Sequence, residues 1–315
     1  MRRSGARTED LHEGQLLVTA GTVRALLADQ LPAYADRPLR LLRQSGTVNA
    51  VVRVGEDLAA RFPLQPGDPD AVRRTLEDEA VAARRLAGGV RVPVPEPVAL
   101  GEPGHGYPLP WSVQTWVRGA DATVVDPGGS DAFARDLATL VADLRSVPTG
   151  GRTFVGEHRT NRGGTIAEHG PWVQTCLARS AGLLDVPALA TRWDRLRLLP
   201  RGDDPDLTTH GDLIGGNVVV SGSGPGARLA GLLDVGGTGP ADPALDLVGA
   251  WHLLDDGPRT VFRDALGDDG ATWSRGAAWA FEQALGLVWY YRTSHPALSA
   301  AGRRTLDRIL RCDDV

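Results

Sequence analysis

The stretch that decides the fold is Thr209-His210-Gly211-Asp212-Leu213-Ile214-Gly215-Gly216-Asn217, followed by an apolar run at 218–220, a glycine-rich turn at 221–226, and Leu232-Leu233-Asp234-Val235-Gly236-Gly237. An acid and an amide five residues apart, on a loop entering a hairpin, converge on one point, and a second acid leaves the far strand 22 positions after the first. Phosphoryl transfer needs such a set: a carboxylate to orient and deprotonate the attacking hydroxyl, plus Asn and Asp oxygens to hold Mg²⁺ against the phosphates. Oxygen ligands suit a hard cation, and nothing nearby offers the thiolates or paired histidines of a zinc site.

Upstream of this stretch the texture is different. Residues 13–30 carry an apolar stripe (Leu16, Leu17, Val23, Leu26, Leu27) and read as a helix. Short apolar pieces at 39–44, 48–54 and 58–62, broken by Ser45-Gly46 and Gly55-Glu56-Asp57, read as successive antiparallel strands. A helix is expected over 70–86, closed off by the proline-rich 92–97, with strands at 98–101 and 111–117. From there the chain is mostly helical, with expected helices at 131–144, 165–183, 188–198, 243–253 and 271–294 and two short strands at 218–220 and 230–233. The reading is an α+β chain of two lobes: 1–117, an antiparallel sheet plus helix, and 118–315, larger and mainly helical.

Composition narrows the chemistry. All 34 Lys+Arg residues among the 315 are arginine. Without lysine there is no Schiff base, no pyridoxal-phosphate linkage and no Walker A loop. A net charge of −5 with scattered arginines argues against nucleic acid as a partner. Cys176 and Cys312 lie far apart and form no disulfide or zinc pattern. The start lacks an apolar segment behind its arginines, and no run approaches a membrane span, so a cytoplasmic protein with no membrane partner is expected. Oligomeric state leaves no signature.

HGDxxxxN, the apolar hairpin, D-x-G and then Asp242-Pro-Ala-Leu-Asp246-Leu247 together resemble the aminoglycoside phosphotransferase family, across roughly residues 35–300. The resemblance implies a two-lobed protein-kinase-like fold and transfer of the γ-phosphate of ATP or GTP, with Mg²⁺, to a hydroxyl of a small molecule. An antibiotic is expected, an aminoglycoside first and a macrolide second. Homoserine, choline or fructosamine kinases share the core, and a nucleotide-binding pseudokinase is the non-catalytic alternative. By the same resemblance Asp212 is the catalytic base, Asn217 and Asp234 are metal ligands, and Glu79 pairs with the phosphate-binding cation. Ser45, Gly46 and Thr47 form the nucleotide-positioning loop, and Thr115 to Val117 form the hinge that meets the base through backbone groups. The family's usual HGDLHPGN is here HGDLIGGN. Where the third strand of the family carries a lysine, this chain has Arg61, whose guanidinium can bind phosphate and Glu79 bidentately. His210 is expected beneath the loop and Asp246 bracing it, and Asp255, Asp256 and Glu282 read either as carboxylates able to receive a polycationic acceptor or as solvated surface groups.

Overall fold

The computed structural model describes residues 14–42, 48–156, 162–202 and 204–315. Contacts group the chain into two compact units that are not contiguous in sequence: 1–88, 94–118 and 234–236 form the first, and 89–93, 119–233 and 237–315 the second. The fold is the α+β, protein-kinase-like one, with an antiparallel sheet in the first unit and a mainly helical second unit.

In the first unit, strands β1 (Leu39–Leu41), β2 (Asn49–Val54), β3 (Leu58–Pro63), β4 (Pro97–Gly101) and β5 (Trp111–Thr115) form one sheet in the order β1-β2-β3-β5-β4, with every pairing antiparallel. Burial alternates along β2, as period-two side chains demand. Val52, Val54, Leu58, Ala60, Phe62, Trp111 and Val113 share a core with Val23, Leu26 and Leu27 of helix α1 (Ala20–Gln30). Arg61 therefore points to the opposite face, beside its cross-strand partners Val51 and Ser112. Helix α2 (Pro69–Ala87) starts at the Asp68 cap and buries Leu76, Ala83 and Leu86. Helix α1 is shorter than the stripe at 13–30 suggests. The Thr19 hydroxyl accepts from Thr22 N–H and caps it, while Leu16 N–H is drawn to Leu64 O at 2.8 Å.

The second unit contains a three-stranded sheet, β6 (Ala120–Asp121), β8 (Val218–Ser221) and β9 (Arg228–Leu232), and a strand pair, β7 (Leu207–Thr209) with β10 (Gly239–Ala241). The remainder is helical: α3 (Asp131–Ser146), α4 (Gly170–Arg179), α5 (Val186–Leu196), α6 (Val248–Leu253), α7 (Asp256–Leu266), α8 (Gly270–Tyr290) and α9 (Pro296–Arg311). Two expected helices split, each opening with a 3₁₀ turn (Ile166–His169 before α4, Pro243–Leu247 before α6). Helices α7 and α9 escape the sequence reading because their buried faces are not apolar stripes. In α9 the buried set includes Ser299, Gly302 and Thr305, and a side chain at Gly302 would meet Ala284 O at 2.7 Å, so α8 and α9 pack backbone to backbone. Among the described residues no helix is long and apolar enough to cross a membrane.

Helix α8 also carries polar side chains inward. Gln283 Nε2 donates to Gly211 O at 3.1 Å, its Oε1 lies 3.1 Å from His252 Nε2, and His252 Nδ1 lies 3.0 Å from Thr305 Oγ1. This chain of hydrogen bonds ties α9, α6 and α8 to the loop preceding Asp212. Burial pushes the His252 imidazole from its ordinary 6.5 down to about 4. The unfolded chain takes up this proton near 6.5 and the native protein only near 4, so stability from this group is complete above 6.5 and is lost as pH falls. Urea unfolding of the wild type is expected to lose roughly 2 kcal/mol between pH 7 and pH 5 from this group alone. His252→Gln should show a correspondingly shallower pH dependence, and equal slopes in the two proteins would contradict the assignment.

Candidate active site

In the second unit the loop 210–217 is built on buried hydrogen bonds. Asp246, fully buried, accepts from His210 N–H at 2.9 Å and Gly211 N–H at 2.7 Å, one bond to each carboxylate oxygen. Charge-assisted bonds of this kind offset the cost of burying a carboxylate. Gly211 lies at φ +78, a left-handed conformation that glycine adopts without penalty. The His210 ring is buried, with Nδ1 accepting from Asp212 N–H at 3.3 Å and Nε2 2.9 Å from Leu233 O. With Nδ1 accepting, Nε2 is the nitrogen that donates to Leu233 O, so both ring nitrogens are engaged within the protein.

Asp212 is half-buried, and Asn217 reaches back to it: Nδ2 donates to Asp212 O and to Asp212 Oδ2, both at 2.9 Å. The two bonds fix the amide orientation and leave the Asn217 side-chain oxygen as the atom able to meet a cation. Leu233 N–H donates to Asn217 O at 2.8 Å, which ties the loop to the end of β9, immediately before Asp234.

In the first unit, Arg61 Nη1 donates to Glu79 Oε2 at 3.0 Å, and its Nη2 lies 3.9 Å from Asp234 Oδ1. One guanidinium thus faces two carboxylates with two different nitrogens. Asp234 is held at φ +53, uncommon for a residue with a side chain. Two residues on, a side chain on Gly236 would meet Glu79 Cγ at 2.4 Å, so glycine there lets α2 bring Glu79 to Arg61. A cavity of about 510 Å³ opens on this face, with Arg61, Glu79, Ser112, Gln114, Asp234 and Gly236 in its walls. Glu77 lines the same cavity, but it is Glu79 that bonds Arg61. At the end of β5, Thr115 N–H donates to Glu96 O at 2.9 Å and Trp116 N–H to Asp57 O at 2.8 Å. Both donors are spent within the protein. Ser45, Gly46 and Thr47 lie outside the described residues.

Of the three expected acceptor carboxylates only Glu282 is closed off, while Asp255 and Asp256 are exposed, each beside an arginine. Glu282 is 1% exposed, bonded by Arg162 Nε at 2.6 Å and 3.2 Å from His169 Nδ1. Asp255 is paired with Arg308 and Asp256 with Arg259. Arg162 is the charged residue that sequence reasoning missed. It lies in Asn161-Arg-Gly-Gly164, remote in sequence from its partner on α8, and no local pattern marks it.

The phosphotransferase enzyme family model matches residues 39–279, most of the chain. The chain belongs to this family. It is a phosphotransferase, and its backbone agrees with solved enzymes of the class. The GDP and kanamycin complex of APH(2")-IIia superposes with a TM-score of 0.68 at 18% identity, covering 91% of this chain and 97% of the other. Macrolide 2'-phosphotransferase MphH from Brachybacterium faecium gives 0.58 at 22% identity over 89% and 97%, and macrolide 2'-phosphotransferase type I gives 0.60 at 18% over 90% and 95%. A search of curated protein sequences finds no match.

The close approach at Gly236 gives the phosphotransferase a direct test. In Gly236→Ala the new methyl displaces Glu79 from Arg61, and loss of one charge-assisted hydrogen bond corresponds to about 10- to 100-fold weaker nucleotide binding. Titration calorimetry with ATP or GTP should show that loss with a largely intact fold. Unchanged affinity would mean that the Arg61–Glu79 pair does not support the nucleotide.

Proposed function

We propose that this phosphotransferase transfers the γ-phosphoryl group of ATP or GTP to a hydroxyl of a small, antibiotic-like molecule. The observation that carries the reading is Asp212, a half-buried carboxylate held by Asn217 on a loop braced from beneath by Asp246, His210 and Gln283. In the proposed reaction Asp212 accepts the acceptor's hydroxyl proton, a step worth typically ~10²–10⁴-fold. The acceptor oxygen forms the new P–O bond, the bond to the β-phosphate breaks, and its electron pair leaves with the nucleoside diphosphate. Arg61, oriented by Glu79, offsets the negative charge of the phosphates. Asn217 and Asp234 would hold Mg²⁺, since two oxygen donors with the remaining positions left to phosphate and water suit that ion. When bound, the ion supplies charge neutralisation across the transferred and leaving phosphates. The Thr115 carbonyl and Val117 N–H are the groups proposed to meet the base.

Solved relatives of the fold include a kanamycin complex and two macrolide 2'-phosphotransferases, which supports an antibiotic-like acceptor. A macrolide-like acceptor is a second reading, favoured by one observation. Glu282 is buried and paired with Arg162, while Trp172 and Tyr290 are 39% and 49% exposed. A buried, paired carboxylate offers a polycation little, and aromatic faces suit a bulkier, less charged molecule.

Incubation with ATP or GTP, Mg²⁺ and a panel of aminoglycosides, macrolides and small metabolites should add the mass of one phosphate to at least one acceptor. Asp212→Ala should abolish this while nucleotide affinity stays within about threefold of wild type. Turnover retained in Asp212→Ala would refute the assignment of the base. Tight nucleotide binding with no transfer by the wild type would refute the enzyme reading.

A further inference from the structure

The loop carrying Asp212 and Asn217 is met by a second segment, residues 119–125, that the proposed reaction leaves unused. Strand β6 pairs with β8, Ala120 opposite Val220 and Asp121 opposite Val219. Just before it, Gly119 lies at φ +140, and a side chain there would meet Val219 Cγ1 at 2.4 Å. The segment is therefore pressed onto β8 where glycine alone fits. It then closes on itself. Asp121 O accepts from Val124 N–H and Val125 N–H, both at 3.1 Å. The Asp121 carboxylate accepts from Thr123 N–H at 3.0 Å and from the Thr123 hydroxyl.

Two contacts join this closed turn to the loop. Ala122 N–H is shared between Gly215 O at 2.9 Å and Val218 O at 3.0 Å, one on each side of Asn217. Gly215 opens the 3₁₀ turn that ends at Asn217, and a side chain at 215 would meet Thr123 Cγ2 at 3.0 Å and Thr123 N at 3.3 Å. This close approach accounts for the first glycine of Leu213-Ile214-Gly215-Gly216. The bonds from Asn217 to Asp212 orient its amide, and the contacts to Ala122 and Thr123 fix where the turn carrying that amide lies. Position matters here, because Mg²⁺ demands near-octahedral ligands at about 2.0–2.1 Å. We infer that Ala122 and Thr123 are positioning residues for the metal: they hold the Gly215–Asn217 turn so that the Asn217 side-chain oxygen stays at its ligand position. The inference rests on the proposed role of Asn217 as a ligand to Mg²⁺.

The test counts Mn²⁺ bound in place of Mg²⁺, by electron paramagnetic resonance with a non-hydrolysable nucleotide analogue, beside thermal unfolding of the same full-length proteins. Changing a group that supports a metal ligand from behind costs about 10- to 100-fold in metal affinity, so Gly215→Ala should weaken Mn²⁺ binding about tenfold. Thr123→Ser deletes the methyl that faces residue 215 and keeps the hydroxyl held by Asp121, so the Gly215→Ala/Thr123→Ser pair should regain most of that affinity. Asp121→Glu keeps the charge but loses the side-chain length that closes the turn, and should weaken Mn²⁺ binding about threefold or more with the fold intact. Unchanged Mn²⁺ affinity in either Gly215→Ala or Asp121→Glu would make the contact only structural and overturn the inference. So would a pair that regains its melting temperature but not its affinity. Asn217→Ala separates the two readings: if it leaves Mn²⁺ binding unchanged, the ligand assignment fails and the inference with it. If it weakens binding while Asp121→Glu does not, only the positioning role is lost.

Discussion

A single guanidinium facing two carboxylates organises the first unit. Arg61 projects from the face of β3 opposite the apolar core, and neither Glu79 nor Asp234 is its neighbour in sequence. Bringing them to it requires α2 to pack against the sheet, which depends on the absence of a side chain at Gly236. It also requires the chain after β9 to turn sharply, which Asp234 does in a left-handed conformation. Such conformations cost of order 1–3 kcal/mol and persist where the surroundings enforce them. In a chain with no lysine, the cation at this position is an arginine.

The second unit solves a parallel problem with buried polar groups. The loop carrying Asp212 is not pinned by apolar packing alone. It hangs from Asp246 through two backbone bonds, from Gln283 through the Gly211 carbonyl and from the His210 ring through Leu233. Satisfied networks of this kind specify one geometry, because losing any partner leaves a desolvated group behind. Apolar contacts would tolerate sliding of the loop, which directional bonds resist.

These two devices differ in how visible they are in the sequence. The HGDxxxxN and D-x-G spacings mark the loop and the hairpin because they are local and the chemistry restricts their residue types. Strands β2 and β3 are legible from alternation and their Gly-Glu-Asp turn, and α2 from its apolar spacing. Legibility fails where partners are distant or the buried face is polar. Helix α9 buries Ser299 and Thr305 and looks like surface. Glu282 looks like a surface acid on an aromatic helix, yet it is among the most buried carboxylates described, because Arg162 reaches it from 120 residues away. Composition cannot reveal such a pairing, since every charged residue reads as solvated until its partner is known.

We propose that this phosphotransferase works with an arginine fitted to its site, not one that merely stands in for lysine. The guanidinium addresses Glu79 and Asp234 with separate nitrogens, whereas an ammonium is a point charge that cannot span both from the same stem. The decisive measurement is kcat/KM for nucleotide in Arg61→Lys beside wild type, with a phosphorylated acceptor as readout. A fall of about tenfold or more is expected, equivalent to one lost charge-assisted contact. Turnover equal to or above wild type in the lysine variant would contradict it.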